Sequence, residues 1–468
     1  MRERFESIYN SLPAALQNVV FSGYGYWMRH RRHGKKFYEI LDFLQHSEWW
    51  GEEQIRDYQT QRLRHIIQHS YETVPYYQRL FKSYGLSPAD IRTVEDLKHL
   101  PVMTKQDVKS HAAELFSTAV SRRSCFSTKT GGTTGKPLTV YLTKHALAFQ
   151  WATWWRHRGR FGFRFGEDRS LMFGARLPVP PGQVGCPLWR YDVGLNRAYI
   201  SSSHLTSDLM QNVLDWMNRE SFDLYVGYPS AMYILAKWML DSGQRLMRRP
   251  KRIVTGSDAL LPKFEEALTR AFGAPVTEQY GTGEACGNIS KCEDGNWHVD
   301  FELGVIEFLE IENCPGKARM VFTGLQNEAM PFLRYEIGDV VELSDRKCGC
   351  GRSSMVIDSI DGRTEDYLVT PDGRKIMGLN QAFEWTNGVK ELQLVQSHPA
   401  MVEVHIVPDH GYSTSDEQIL ERELRKRVGQ QMQISFHQVD TIPRTTSGKY
   451  RAVVSEVGSL PIEAVRAQ

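Results

Sequence analysis

Between residues 100 and 340, short apolar runs alternate with longer stretches whose apolar positions recur at helical spacing. Residues 170–173, 224–226, 252–254 and 275–277 are strand-length, and each lies close to a Gly or Pro that punctuates it. Residues 205–217, 230–240 and 262–272 lie between them with the period of a helix. Strands separated by helices predict an α/β architecture of several layers with buried, mostly parallel strands, because a parallel connection must cross a face of the sheet. Ahead of this region, residues 1–60 read as a charged helical extension. Residues 57–81 read as an amphipathic helix that closes near Thr73-Val74-Pro75. After Arg363 the pattern changes: 367–369, 391–396, 402–406 and 434–439 read as strands and 416–428 as a charged helix. That is a small α+β unit, so the boundary is placed at Gly362-Arg363. The expected organisation is an extension over 1–60, a large domain over 61–362 and a small mobile C-terminal domain over 363–468, joined by a hinge.

The bulk properties narrow the classes. A chain of 468 residues is too long for one ordinary core, and 41% hydrophobic with 24% charged residues are globular values. A formal net charge of +2 argues against a nucleic-acid protein held by bulk electrostatics. No apolar run is long enough to span a bilayer and the first residues lack a signal-peptide core, so a cytoplasmic protein with seven mostly reduced cysteines is expected. One basic cluster, Arg29, Arg31, Arg32, Lys35 and Lys36, follows Phe21, Tyr24, Tyr26 and Trp27. It reads either as a peripheral contact with an anionic membrane or as a helix end packed on the main body.

The segment with most chemistry is T-G-G-T-T-G-K-P at 130–137. Thr130, Thr133 and Thr134 supply hydroxyls, Gly131, Gly132 and Gly135 let the backbone approach a ligand, and Lys136 adds a charge. Such a loop suits a polyphosphate. It is not a Walker A loop, which needs four residues before its Gly-Lys pair and then Ser or Thr; here three intervene and Pro137 follows. Taken alone, the octet also reads as an ordinary Gly/Thr hairpin turn.

Further segments change that balance. Residues 279–284 read Q-Y-G-T-G-E, 334–339 R-Y-E-I-G-D, 361–366 D-G-R-T-E-D and 443–449 P-R-T-T-S-G-K; G-Y-P-S at 227–230 and A-M-P at 329–331 add to them. In this order, over roughly residues 60 to 455, they resemble the acyl-adenylate-forming superfamily, and most closely its phenylacetate-CoA ligase branch with that branch's relatives in capsular-polysaccharide biosynthesis.

The resemblance implies ATP-dependent activation of a carboxylic acid. Thr130 to Lys136 would hold the β- and γ-phosphates, and Glu284 would bind magnesium. Tyr280 and Gly281 would lie along adenine, with Gly256 and Ser257 nearby. Asp339 would accept from both ribose hydroxyls, a role that suits two carboxylate oxygens. Arg363 at the hinge would reach the ribose or phosphate, and Lys449 would pair with the reacting carboxylate. Taken singly, Glu284 and Asp339 read as caps or surface carboxylates and Lys449 as a solvated turn. One departure stands out: the family carries Thr or Ser immediately before the motif's glutamate, and this chain has Gly283, with Thr282 one place earlier. A backbone shift, the glycine N–H or slower adenylation would each accommodate it; Thr282 is not expected to be a phosphate ligand, since side-chain direction changes with every residue.

Cys292, His298, Cys348 and Cys350 offer four ligands suited to a structural, tetrahedral zinc. The alternative is four unrelated reduced residues. Cys125, Cys186, Cys286 and Cys314 read as buried hydrophobes. Trp151, Trp154, Trp155 and Arg158 follow helical spacing, as a core stripe or as one wall of an acyl pocket. The acid is therefore expected to be apolar or aromatic, and the acceptor CoA. An amine or carrier protein as acceptor, and a catalytically degenerate nucleotide-binding scaffold, are the alternatives.

Overall fold

Two prolines set the phase of the α/β layers. Pro229 and Pro262 each open a helix, where the missing N–H costs nothing, so the chain leaves the preceding strand and crosses back over the sheet. The computed structural model describes residues 8–129, 139–174, 178–180, 183, 185–200, 205, 207–257, 259–311, 314–363, 368–371, 375–376, 388–443, 451–455 and 457. Strands Arg197–Ile200, Ser170–Phe173, Leu224–Gly227, Arg252–Thr255 and Val276–Gly281 lie side by side in that spatial order, all parallel. Helices Ser207–Glu220, Pro229–Asp241 and Pro262–Phe272 connect them, as the periodicity predicts. Phe173, Tyr225, Leu235 and Phe272 are buried between the layers, each such side chain contributing about 1.5–3 kcal/mol.

The sheet continues past its parallel part. Trp189–Asp192 adds an antiparallel edge strand on one side. On the other, Asn288–Lys291, Trp297–Val299, Val356–Arg363, Tyr335–Leu343, Cys314–Gly324 and Gly304–Ile311 extend it antiparallel to twelve strands among the described residues. Parallel pairing thus belongs to the α/β part, and hairpins build the rest. Helix Glu52–Thr73 runs through residue 60 and stops where Val74 is held extended by the following Pro75, which starts helix Pro75–Ser83. Leu63, Ile67, Tyr77 and Phe81 from this pair pack with Phe322 and Tyr335 of the hairpin half.

Helices Ala14–Arg32 and Lys35–Ser47 also pack on the body. Phe37, Ile40 and Leu44 are buried with Phe149, Ala152 and Trp155 of the central helix Lys144–Arg160. The basic cluster divides: the Arg32 guanidinium sits 4.6 Å from the Trp151 ring centroid, while Lys35 and Lys36 stay exposed beside Glu39. No helix among the described residues is long and apolar enough to cross a membrane. The cysteine reading needs correction. Cys286 is buried as expected, but Cys186 is exposed in a loop and Cys125 and Cys314 are half-buried near strand ends.

A separate core follows Leu368. Strands Gln433–Gln438, Met401–Pro408, Val389–His398 and Val453–Ser455 form a four-stranded sheet in that order, and Leu420 and Leu424 of helix Thr414–Val428 cover Leu394, Val404 and Ile406. The helix starts at Ser413, whose backbone N–H and hydroxyl both reach Asp416. This unit touches the large sheet's helices through Lys237–Asp409 at 2.8 Å and through Lys263, whose ammonium donates to the Val389 carbonyl at 3.3 Å.

Candidate active site

In an open α/β sheet the crevice lies at the carboxyl ends of the parallel strands, where successive connections depart to opposite sides. Ser170–Phe173 is that point here, with Arg197–Ile200 on one flank and Leu224–Gly227 on the other. Two segments singled out in the sequence follow directly: Gly227-Tyr228-Pro229-Ser230 leaves one strand and Gly256-Ser257 the next. A Cβ at Gly256 would stand 2.5 Å from the Gln279 carbonyl oxygen, so the two chains approach too closely for any side chain. Ser257 itself has φ 66, a left-handed conformation costing about 1–2 kcal/mol outside glycine.

Tyr280 and Gly281 end strand Val276–Gly281 beside them. A Cβ on Gly281 would meet Asn288 Oδ1 at 2.6 Å and Trp154 Nε1 at 3.0 Å. The Tyr280 hydroxyl donates to Asp339 Oδ2 at 2.5 Å. Burial, then the Asp339 charge, raise that hydroxyl well above its ordinary value, so it remains a donor. Asp339 and Arg363 are register partners across strands Tyr335–Leu343 and Val356–Arg363, which puts their Cα atoms about 4.5–5.5 Å apart. The ribose acceptor and the hinge arginine expected from the sequence are therefore neighbours in the sheet.

The loop after Gly281 is tight. The Ala285 N–H donates to the Thr282 carbonyl at 3.2 Å, Ala285 has φ 54, and Glu284 is buried. The charge of Glu284 adds to the raised values of both Tyr280 and Cys286, after burial in each case. Thr282 is buried with its hydroxyl 3.6 Å from Cys286 Sγ, and its carbonyl accepts from Gln150 Nε2 at 2.7 Å. Its side chain thus faces inward, toward Cys286. Thr130, Gly131, Gly132, Thr133, Thr134, Gly135, Lys136 and Lys449 lie outside the described residues.

Sequence reasoning missed the groups that hold this loop. Gln150 is one. Trp154 Nε1 donates to Asn288 Oδ1 at 3.0 Å, and Asn288 Nδ2 donates to Asp300. Arg156 pairs with Asp300 at 2.6 Å and Glu302 at 2.5 Å, all three essentially without solvent exposure. Burial works against ionisation of Asp300, and the Arg156 and Arg160 charges overcome it, holding the carboxyl below its ordinary range. The available signal was a set of polar residues, Gln150, Thr153 and Arg156, set among the apolar positions of the helix's middle turns. Within the tryptophan stripe, Trp155 is core while Trp151 and Trp154 are half-buried, Trp154 against Gly281 and Trp151 against Trp154.

The four candidate metal ligands converge. Cys292 directly follows strand Asn288–Lys291, His298 lies in the paired strand Trp297–Val299, and Cys348 and Cys350 sit in the loop before Val356–Arg363. Their ligand atoms all lie within 4.8 Å of one another. Cys292 Sγ is 3.6 Å from Cys348 Sγ, and Cys350 Sγ is 3.4 Å from His298 Nε2. A tetrahedral zinc would set two sulfurs about 3.8 Å apart and a sulfur and nitrogen about 3.5 Å apart, so the donor set fits. His298 Nδ1 faces the Ser354 hydroxyl at 3.1 Å, which orients Nε2 toward the sulfurs.

The AMP-binding enzyme family model matches residues 56–305, more than half of the chain, and the CapK C-terminal domain model matches residues 368–456. Protein CapK of Staphylococcus aureus is 26% identical over 455 residues, covering 96% of this chain and 99% of that protein. A phenylacetate-coenzyme A ligase of Thermus thermophilus is 26% identical over 443 residues, covering 86% of this chain and 96% of the relative. Among solved structures, 2-hydroxyisobutyryl-CoA ligase in its postadenylation state aligns with a TM-score of 0.67 at 17% identity, covering 90% of this chain and 92% of that one; the likeness is one of fold.

Proposed function

The chain belongs to the AMP-binding enzyme family, and on that premise we propose that it converts a carboxylic acid and ATP into an acyl-adenylate and then transfers the acyl group to CoA. The observation that carries this reading is the Tyr280–Asp339 hydrogen bond. It brings together two motifs far apart in the chain, with Gly281, Glu284 and the register partner Arg363 alongside.

The chemistry needs such a convergence. One carboxylate oxygen attacks the α-phosphorus, the bond to the β-phosphate oxygen breaks, and pyrophosphate leaves. The thiol sulfur then attacks the acyl carbon, AMP departs with the electron pair of the acyl–oxygen bond, and the thiol proton passes to solvent. Asp339 takes the ribose hydroxyls, Tyr280 and Gly281 flank adenine with Gly256 and Ser257, and Glu284 is the carboxylate that would hold magnesium, which supplies charge neutralisation at the phosphates. Lys136 and the threonines around it take the departing pyrophosphate, and Lys449 the reacting carboxylate. The small unit swings about Arg363–Asp366 between the two half-reactions. Cys292, His298, Cys348 and Cys350 hold a structural zinc; it would fix the loop leading into strand Val356–Arg363, whose far end carries Arg363 beside Asp339.

A second reading retains the adenylate but hands the acyl group to an amine or a carrier protein. Residues 368–456 match the CapK C-terminal domain, a match that specifies no acceptor, so the acceptor is decided by experiment. Pyrophosphate release with ATP, magnesium and a panel of acids tests the shared step. Hydroxylamine trapping with and without CoA then separates the acceptors. ATP binding without pyrophosphate release from any acid would leave a nucleotide-binding scaffold instead.

A further inference from the structure

Three basic side chains lie buried behind the tryptophans; Arg158 belongs to the helical stripe read above, while His33 and Arg197 have no role so far. Arg158 and Arg197 are each 5% exposed and His33 is 4% exposed. Arg158 Nε and Nη1 and both ring nitrogens of His33 are buried with no hydrogen-bond partner among the described residues. Among the described residues Arg197 meets only neutral oxygens, donating from Nε to Ser170 Oγ at 3.1 Å and from Nη1 to the Tyr199 hydroxyl at 3.4 Å. The nearby acids are committed elsewhere: Asp300 and Glu302 to Arg156, and Glu48 to Arg160 and Arg352. Among the described residues, no ion pair reaches Arg158 or Arg197. The Trp155 ring, 4.8 Å from the Arg158 guanidinium, is a weak substitute for a counter-ion.

Buried charges are ordinarily paired, and a lone buried guanidinium with idle donors is costly unless a ligand completes it. Burial, then the Arg197 charge, pull Arg158 down to about 9, the direction set by two cations sharing an apolar site. The cluster is not isolated from the candidate active site. His33 meets the Trp151 ring edge-on at 5.4 Å, Trp151 meets Trp154 at 4.8 Å, and Trp154 lies against Gly281. His33 comes from the junction of the two N-terminal helices, which lies outside the 56–305 match and closes this side of the body.

We propose that Arg158, Arg197 and His33 form a buried oxyanion site for a second anionic group, a carboxylate or phosphate, on the acid that this enzyme activates. The inference rests on the ligase reading and deepens it. Arg158 supplies two N–H donors, neutral His33 one more, and Arg197 a second positive charge. The reacting carboxylate lies toward Tyr280 and Glu284, and the second anion lies beyond Trp151. The two are joined by an apolar spacer that runs along the indoles.

The test is direct binding, followed by thermal melting and calorimetry. A length series of α,ω-dicarboxylates and their ω-phosphono analogues is compared with monocarboxylates of equal length, with inorganic phosphate as a separate arm. One length of diacid should raise the melting temperature where its monoacid does not. Arg158→Met and Arg197→Gln should bind that diacid at least about tenfold more weakly, the loss of a charge-assisted hydrogen bond. Arg158→Met should also melt at or above the wild-type temperature without ligand, because it removes an unpaired buried charge. Equal binding of diacids and monoacids overturns the proposal, as does unchanged binding by both variants. Phosphate alone reproducing the full shift would assign the cluster to a free anion and sink the substrate claim. Arg158-dependent diacid binding without pyrophosphate release from any acid retains the anion site and removes the ligase reading. Release from monoacids that ignores Arg158 does the reverse.

Discussion

The Tyr280 hydroxyl and Asp339 Oδ2, 59 positions apart in sequence, stand 2.5 Å apart in the fold. The bond fixes the carboxylate that is proposed to take the ribose against the residue proposed to flank adenine. Asp339→Asn keeps the shape but exchanges an acceptor-only group for one with a donor. At about 1.5–3 kcal/mol for a charge-assisted hydrogen bond, kcat/KM for ATP should fall roughly ten- to hundredfold. Tyr280→Phe removes only the positioning contact and should cost about tenfold or less, mainly in KM for ATP. Pyrophosphate-release kinetics at varied ATP read both, and an Asp339→Asn enzyme with unaltered ATP dependence would remove Asp339 from the nucleotide site.

The metal cluster makes a prediction independent of activity. Protein purified without chelator should contain stoichiometric zinc by elemental analysis, and Cys348→Ser should abolish it. Chelation should lower the melting temperature, because binding energy to a folded site is folding energy. Metal-free purified protein would show four reduced residues that merely sit close.

How much of this was readable beforehand varies by segment, for physical reasons. The parallel strands and their helices were legible because periods of 2 and 3.6 residues, bounded by glycines and by Pro229 and Pro262, survive in a single sequence. The antiparallel half was not: Gly304–Ile311 and Cys314–Gly324 form a hairpin with no helix between them to mark a layer. Cys292, His298, Cys348 and Cys350 were legible by ligand type despite their separation, whereas Cys186 was misread because burial is a property of the loop it occupies. Gln150, Asn288 and Asp300 went unnoticed since a buried polar residue acquires its meaning only from a distant partner.

The Arg156–Asp300–Glu302 group underlies the loop that carries Tyr280 and Glu284. Asp300 accepts from Asn288, which in turn receives the Trp154 indole N–H. Asp300→Asn leaves Arg156 with one fewer counter-charge in a site without solvent, a loss of about 3–5 kcal/mol. Urea or thermal unfolding should show a clear drop. Below the unfolding transition the variant should also have a raised KM for ATP, since Trp154 and Gly281 lose their support. A melting temperature equal to wild type would mean that the buried pair is solvated after all.

Acid should destabilise the large domain through His157. The ring is fully buried on the central helix, and burial, then the Arg160 charge, pull it down to about 3. The native state therefore binds its proton only below about pH 3, while the unfolded chain does so below about 6.5. Stability is complete above pH 6.5 and declines as pH falls toward 3, by about 1.4 kcal/mol per unit, or about 2 kcal/mol at pH 5. His33, lowered to about 2, adds a term of the same sign. His157→Gln should flatten the decline between pH 6.5 and 5 by one proton's worth, measured as the shift of the unfolding midpoint with pH. An unchanged slope would place the ring in contact with water.

The division of labour between the two units gives the sharpest kinetic test. In this structure the small unit is held to the large one by Lys237–Asp409 and by Lys263 on the Val389 carbonyl, contacts that must break if it swings. Lys449, on that small unit, is assigned to the first half-reaction alone, because the thioester step begins after the α-phosphate has been attacked. Lys449→Ala should therefore lower acyl-adenylate formation by orders of magnitude and leave thioester formation from supplied acyl-adenylate near its original rate. Asp409→Ala, which loosens the observed docking without touching either reacting centre, should alter the ratio of the two half-rates rather than abolish one. Single-turnover measurements of each half-reaction decide the matter. A Lys449→Ala enzyme that loses both halves equally would mean that one orientation of the small unit serves both steps, and the proposed swing about Arg363–Asp366 would have no function.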